Sequence, residues 1–245
     1  MKRQVISELR KLVTARSAHS LAIALVAVVG VGTVAVITDG PPTAVGEPFE
    51  RQALMNVVLA ITPLFALLLG IRSFTDEFRF GSIVPTLLAN PGRGQVLAAK
   101  VAATGIAGVG LAMAAMAGAS AIGVPLLLAE GWVPAVSVGA MAQILGRLIV
   151  AMALWTTIGV GLGLAVRHQV AAIAGALIWM VAGEGIVAGF LPDLARYFPG
   201  AAGFSVVGIN AGNLLAPAAG AMVLAGYAIL ATSVGGALMR RRDIV

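Results

Sequence analysis

The sequence predicts an all-α integral membrane protein with six transmembrane helices, and three observations carry that prediction. Of 245 residues, 60% are hydrophobic and 11% charged, against about 25% charged in soluble domains. Six apolar runs are long enough to cross a bilayer at roughly 20 residues per helix. Thirteen of the sixteen basic residues lie on one side of those runs, the asymmetry that orients membrane helices. A membrane β-barrel would instead alternate apolar and polar residues in units of about ten, which LAIALVAVVGVGTVAVI does not do. Cysteine is absent, so disulfide and thiolate chemistry are excluded.

Residues 1–17 come first. Val5, Ile6, Leu9, Leu12 and Val13 share one helical face, with Lys2, Arg3, Ser7, Arg10 and Lys11 on the other. That pattern predicts an amphipathic helix lying along the membrane interface. The apolar run that follows is too long for a secretory signal core and lacks a convincing cleavage site, so it reads as a span. Spans are expected at 18–37, 53–71, 101–128, 139–166, 170–190 and 216–238. The third and fourth are long enough to tilt or break, with Pro125 near the end of the third. Basic residues from Lys2 to Arg16, then Arg72, Arg79, Arg93, Lys100, Arg167 and Arg240 to Arg242, fall inside. Arg51 and Arg196 fall outside, and Arg147 lies within the fourth span. Both termini are therefore expected in the cytoplasm, in a multi-pass protein of the plasma membrane. The pI near 10.8 follows from this topology and contact with anionic lipid, so no nucleic-acid partner is expected.

The longest inside connection is RSFTDEFRFGSIVPTLLANPGRGQVLAAK, residues 72–100. Ile83, Val84, Leu87 and Leu88 give it an apolar face, and Pro91 and Gly92 punctuate it. A short amphipathic helix, a turn, and a second helix from about Arg93 are expected. Glu77, Phe78, Arg79, Phe80, Gly81, Ser82 and Ile83, followed by Leu87, Pro91, Arg93 and Lys100, resemble the connection found in type-2 permeases of ATP-binding-cassette (ABC) exporters. Ser82 stands where threonine is common in that family. The resemblance extends over the whole chain, through the interfacial helix, the six-span layout and the long outside segment 190–215.

The resemblance implies that residues 75–90 form a coupling helix docking on a separate ATP-binding subunit, with Asp76, Glu77, Phe78, Arg79, Gly81, Ser82 and Leu87 as coupling residues and Glu77 and Arg79 foremost. Charge-assisted hydrogen bonds from these side chains suit such a contact, although a solvated, headgroup-facing run has the same composition. It also implies a second permease chain, identical or related, and re-entrant short helices within 190–215. The sequence has no phosphate-binding G-x-x-x-x-G-K-[ST] loop. ATP and Mg therefore belong to the partner, this chain binds no cofactor, and it is not itself an enzyme. An amphipathic or lipid-like exported substrate is expected by the same resemblance.

Glu184 and Arg147 are the acid and base placed well inside predicted spans, at a cost of roughly 2.5–3.5 kcal/mol each at the bilayer centre. Both lie roughly 10 Å below the outer surface by helical rise. Three readings stay open: an ion pair between them, an acid facing a substrate path, or snorkelling with proton linkage. Asn56, Thr62 and Pro63 interrupt the second span and are pathway candidates, although a kink that only eases packing fits them too. Gly159, Gly161 and Gly163, and Gly105, Gly108 and Gly110, suggest close helix approach. No metal site is expected, since His19 and His168 lack partners at ligand spacing. Two rival functions remain: a secondary transporter, which would show internal repeats and midplane charges, and a non-transporting scaffold or immunity subunit of the same fold. An intramembrane hydrolase would need a motif that is missing here, such as G-x-S-x-G.

Overall fold

The computed structural model describes residues 2–39, 48–89, 92–129, 138–209 and 214–241, and the regular elements among them are all helical. They are α1 (Lys2–Thr14), α2 (Arg16–Asp39), α3 (Pro48–Arg79), α4 (Ile83–Ala89), α5 (Arg93–Ala129), α6 (Val138–Val166) and α7 (Gln169–Ile178). A π-helical turn, Trp179–Gly183, then leads into α8 (Glu184–Phe190), followed by α9 (Pro192–Ala195), α10 (Pro199–Val207) and α11 (Pro217–Arg241). Six stretches are long and apolar enough to cross a membrane: Arg16–Thr38, Val58–Arg79, Arg93–Ala129, Val138–Val166, Gln169–Phe190 and Pro217–Arg241. Each overlaps one expected span, and the chain is a multi-pass membrane protein by that measure.

The bundle is organised around α6, which packs on α3, α11 and α5. Glycine makes this possible. Gly159 and Gly163, four residues apart, face α3 so closely that an added methyl would strike the carbonyls of Leu67 and Ile71, and Gly161 meets Ala231 of α11 in the same way. Farther along, Leu148, Met152 and Trp155 of α6 fill the core together with Leu67, Leu111 and Leu224. The three expected glycines of α5 do not act together. Gly108 meets Thr156 of α6, while Gly105 and Gly110 face open space; two residues turn a helix by about 200° and point 108 and 110 in nearly opposite directions. Gln169–Phe190 is peripheral: 6% of its most apolar window is buried, against 67% for α3 and 56% for α6.

Both α3 and α5 stay helical through Pro63 and Pro125, so of the tilt or break left open for the third span, the break does not occur. The connection after α3 also departs from expectation. Residues 75–90 are not one short helix: α3 continues to Arg79, residues 80–82 form a turn, and α4 follows. Helix continues past Ile71 because Ile71 and Phe74 are buried in the bundle. Ser73 and Thr75 satisfy their hydroxyls on the carbonyls of Gly70 and Ile71. The reversal comes at Gly81, whose φ of 68° is left-handed and suits glycine. The second helix does begin at Arg93 and runs straight into the third span. Its first side chain donates to the Met239 carbonyl at 2.6 Å near the end of α11, a cation where the helix dipole favours one. The ends of α3 and α11, the starts of α2 and α5, and the whole of α1 thus gather at one end of the bundle, the terminal face.

Candidate functional site

Four ionised side chains close a ring at the terminal face. Lys11 Nζ of α1 lies 2.6 Å from Glu8 Oε1 and 2.9 Å from Glu77 Oε1 at the end of α3. Lys100 Nζ of α5 lies 2.6 Å from Glu8 Oε2 and 3.0 Å from the same Glu77 oxygen. Glu8, Glu77 and Lys100 are buried. Each ammonium has three hydrogens to place. Lys11 donates its third to the Thr86 hydroxyl of α4 at 3.3 Å, and Lys100 sits 4.9 Å from the centre of the Phe74 ring, in cation–π range. The ring therefore fastens α1 to α3, α4 and α5. Burial alone would raise the Glu8 carboxyl, but Lys100 and Lys11 outweigh it and hold the group below its ordinary 4.5. Burial would likewise lower the Lys11 ammonium, yet Glu8 and Glu77 hold it above its ordinary 10.5.

The other expected coupling residues surround this ring. Asp76 Oδ2 lies 3.6 Å from Arg72 Nε one helical turn earlier. Arg79 donates to Gln169 Oε1 at 3.2 Å, tying the end of α3 to the start of α7. Phe78 stacks on Phe74 at 6.4 Å between ring centres and receives the Arg167 guanidinium at 5.1 Å. Ser82 accepts the Thr86 hydroxyl on its carbonyl, and Ile83 is buried with Phe74, Val160, Leu164 and Met239. Beside these anchored residues, Phe80, Val84 and Leu88 recur every four residues and are 73%, 43% and 80% exposed. The side chain of Leu87 lies outside the described residues.

Glu184 and Arg147 do not pair with each other; they engage opposite ends of α10. Glu184 Oε1 accepts the Gly200 amide at 2.8 Å, at the first turn of α10, where unsatisfied N–H groups and the helix dipole favour an anion. The Arg147 guanidinium lies against Gly208, the left-handed C-cap with φ of 85°, where the dipole favours a cation. Nine residues of helix separate the two charges, so a direct bridge is out of reach. Depth in the membrane, on which the expected pair rested, does not reveal that a third element stands between them. Thr62 is buried and bonds its hydroxyl to the Val58 carbonyl, and Pro63 is buried beside it. The side chain of Asn56 lies outside the described residues.

No family model matches the chain, and no curated protein matches it. Its own geometry therefore carries the functional argument. Among the described residues, no group of three His, Asp or Glu side chains is placed to hold a metal ion. Glu8 is the residue that the sequence reading missed. Its signal was present: an acid at the spacing of Val5 and Leu12 stands on the apolar face of an otherwise basic helix, where a charge survives only with a partner.

Proposed function

We propose that this chain is the membrane-spanning permease subunit of an ABC exporter. In this reading both termini lie in the cytoplasm and the protein sits in the plasma membrane. ATP and Mg are held by a separate ATPase subunit, and a second permease chain completes the pathway for an amphipathic or lipid-like small molecule. The observation that carries the proposal is the contrast between the buried root and the exposed tip of the connection after α3. Its root is fixed to α1, α3 and α5 by buried ion pairs, while Phe80, Val84 and Leu88 beyond that root stand exposed. A rigidly rooted lever with an apolar tip is what a partner's movement needs in order to reach the spans. Arg79 and Asp76 flank that tip and supply charged contacts to the ATPase. Glu77 takes a different part, holding the lever to the bundle.

On the opposite side, α10 packs into the same core as the spans through Ala202, Val206 and Val207. Arg147 lies nine residues into α6, about 13 Å from its start, so the held helix reaches below the span ends. This supports a re-entrant segment within 190–215 that can shape the outer exit. Purification of the tagged full chain in mild detergent tests the proposal: an ATP-binding subunit accompanies it, and ATP hydrolysis is measurable in the complex. A stable monomer without an ATPase partner would overturn the proposal and favour a scaffold or a secondary transporter.

A further inference from the structure

A cavity of about 850 Å³ opens between α1, the start of α2, the last turns of α3, the turn into α4, and the base of α5. That volume suits a small amphiphile. Its walls are of two kinds. Leu12, Leu21, Leu69 and Val96 contribute apolar surface, and the ion ring with Arg16 and Arg72 contributes polar surface. The ring leaves one valence unmet. Glu77 Oε1 accepts both lysines, whereas the buried Oε2 has no hydrogen-bond partner. Arg72 Nε is also buried without a hydrogen-bond partner, 3.6 Å from Asp76. Buried polar atoms are ordinarily satisfied, and each exception asks for an explanation.

Charge narrows the occupant. The cavity wall carries four basic residues (Lys11, Arg16, Arg72, Lys100) and three acidic ones (Glu8, Asp76, Glu77), leaving one net positive charge. The Glu77 carboxylate is already flanked by two ammonium groups, so its free oxygen calls for a donor that adds no further cation. A hydroxyl meets that requirement, and a phosphate diester supplies the missing negative charge to Arg72 and Arg16. We propose that this cavity binds an anionic phospholipid with a hydroxylated headgroup, of the phosphatidylglycerol type. The headgroup hydroxyl donates to Glu77 Oε2, the phosphate faces Arg72 and Arg16, and the glycerol and upper acyl carbons lie along Leu12, Leu21 and Leu69. The inference rests on the six-helix bundle alone and stands whether or not an ATPase partner exists.

Native mass spectrometry of the delipidated full-length protein, titrated with lipids of identical chains, tests it. Phosphatidylglycerol is expected to bind about tenfold tighter than phosphatidylethanol, which keeps the charge and lacks the hydroxyls, a gap of one charge-assisted hydrogen bond. Phosphatidylethanolamine, with no net charge, is expected to bind as weakly as phosphatidylethanol. Glu77→Gln should erase the preference, but it also disturbs the ion ring. Ala15→Phe fills the cavity and Arg16→Gln removes one phosphate contact, both leaving the four ring residues in place, and both should reduce phosphatidylglycerol binding. Equal binding of the three lipids, or a preference unchanged in Ala15→Phe, would overturn the proposal. Free glycerophosphate that competes as well as the lipid would assign the cavity to a soluble molecule and overturn it equally.

Discussion

Lys100 Nζ lies 2.6 Å from Glu8 Oε2, joining the base of the third span to a residue 92 positions earlier on the first helix. Both side chains are buried, so neither can turn to water if its partner is lost. Lys100→Met is expected to cost about 3–5 kcal/mol, the usual consequence of stranding a buried charge. Glu8→Gln combined with Lys100→Met should cost less than the sum of the single changes, because paired groups are not additive. Denaturant unfolding in a fixed detergent measures both, and strict additivity would contradict the pairing.

The ring also sets a pH window. Glu8 titrates lower in the fold than in the unfolded chain, so its contribution is present above about pH 4.5 and fades as pH falls through the lowered folded value. Lys11 titrates higher in the fold, so its contribution is complete below about pH 10.5 and fades as pH rises through the raised one. Amide hydrogen exchange in α1 should therefore stay protected across neutral pH and accelerate at both extremes. Protection that is flat down to full protonation of Glu8 would argue against the ring as the tether of α1.

Charge reversal distinguishes a clamp on α10 from a bridge between Glu184 and Arg147. If the two bonded to each other, Glu184→Arg with Arg147→Glu would restore what each single change removes. With each placed at one end of α10, the double reversal sets a cation at the helix N-terminus and an anion at its C-terminus. Each misplaced end should cost about 0.3–1 kcal/mol, up to about 2 where partly buried. The double variant is expected to melt below either single one, and rescue would contradict the clamp.

Two glycines of similar sequence context should respond in opposite directions. Gly159→Ala drives a methyl into the Leu67 carbonyl and should cost about 1–3 kcal/mol or more, as overpacking does. Gly105→Ala meets open space and should stabilise the helix by roughly 0.5–1 kcal/mol. Thermal unfolding of the two variants checks both signs.

Most of the architecture was legible because membrane burial writes itself into composition: six apolar runs became six helices long enough to span. The extension of α3 to Arg79 was hidden by Asp76, Glu77 and Arg79, whose charges read as a separate short helix outside the span until Phe74 and Phe78 are seen packing one face of α3. Glu77 and Lys100 were visible in the sequence, yet the ring was not, since Glu8 closes it from far away in the chain. The relation of Glu184 and Arg147 was half legible. Depth placed them alike, and only the position of α10 shows that each serves a helix terminus.

In the proposed function, the exposed tip of the connection after α3 receives the movement of an ATPase. The most direct measurement is ATP hydrolysis and substrate-stimulated turnover of the co-purified complex carrying Phe80→Asp and Leu88→Asp, changes to exposed side chains that leave the ion ring in place. Under the proposed function, the variant is a folded chain with native thermal stability that either loses the ATPase subunit or retains it with hydrolysis uncoupled from substrate. A complex that assembles and couples as the unaltered protein does would contradict it.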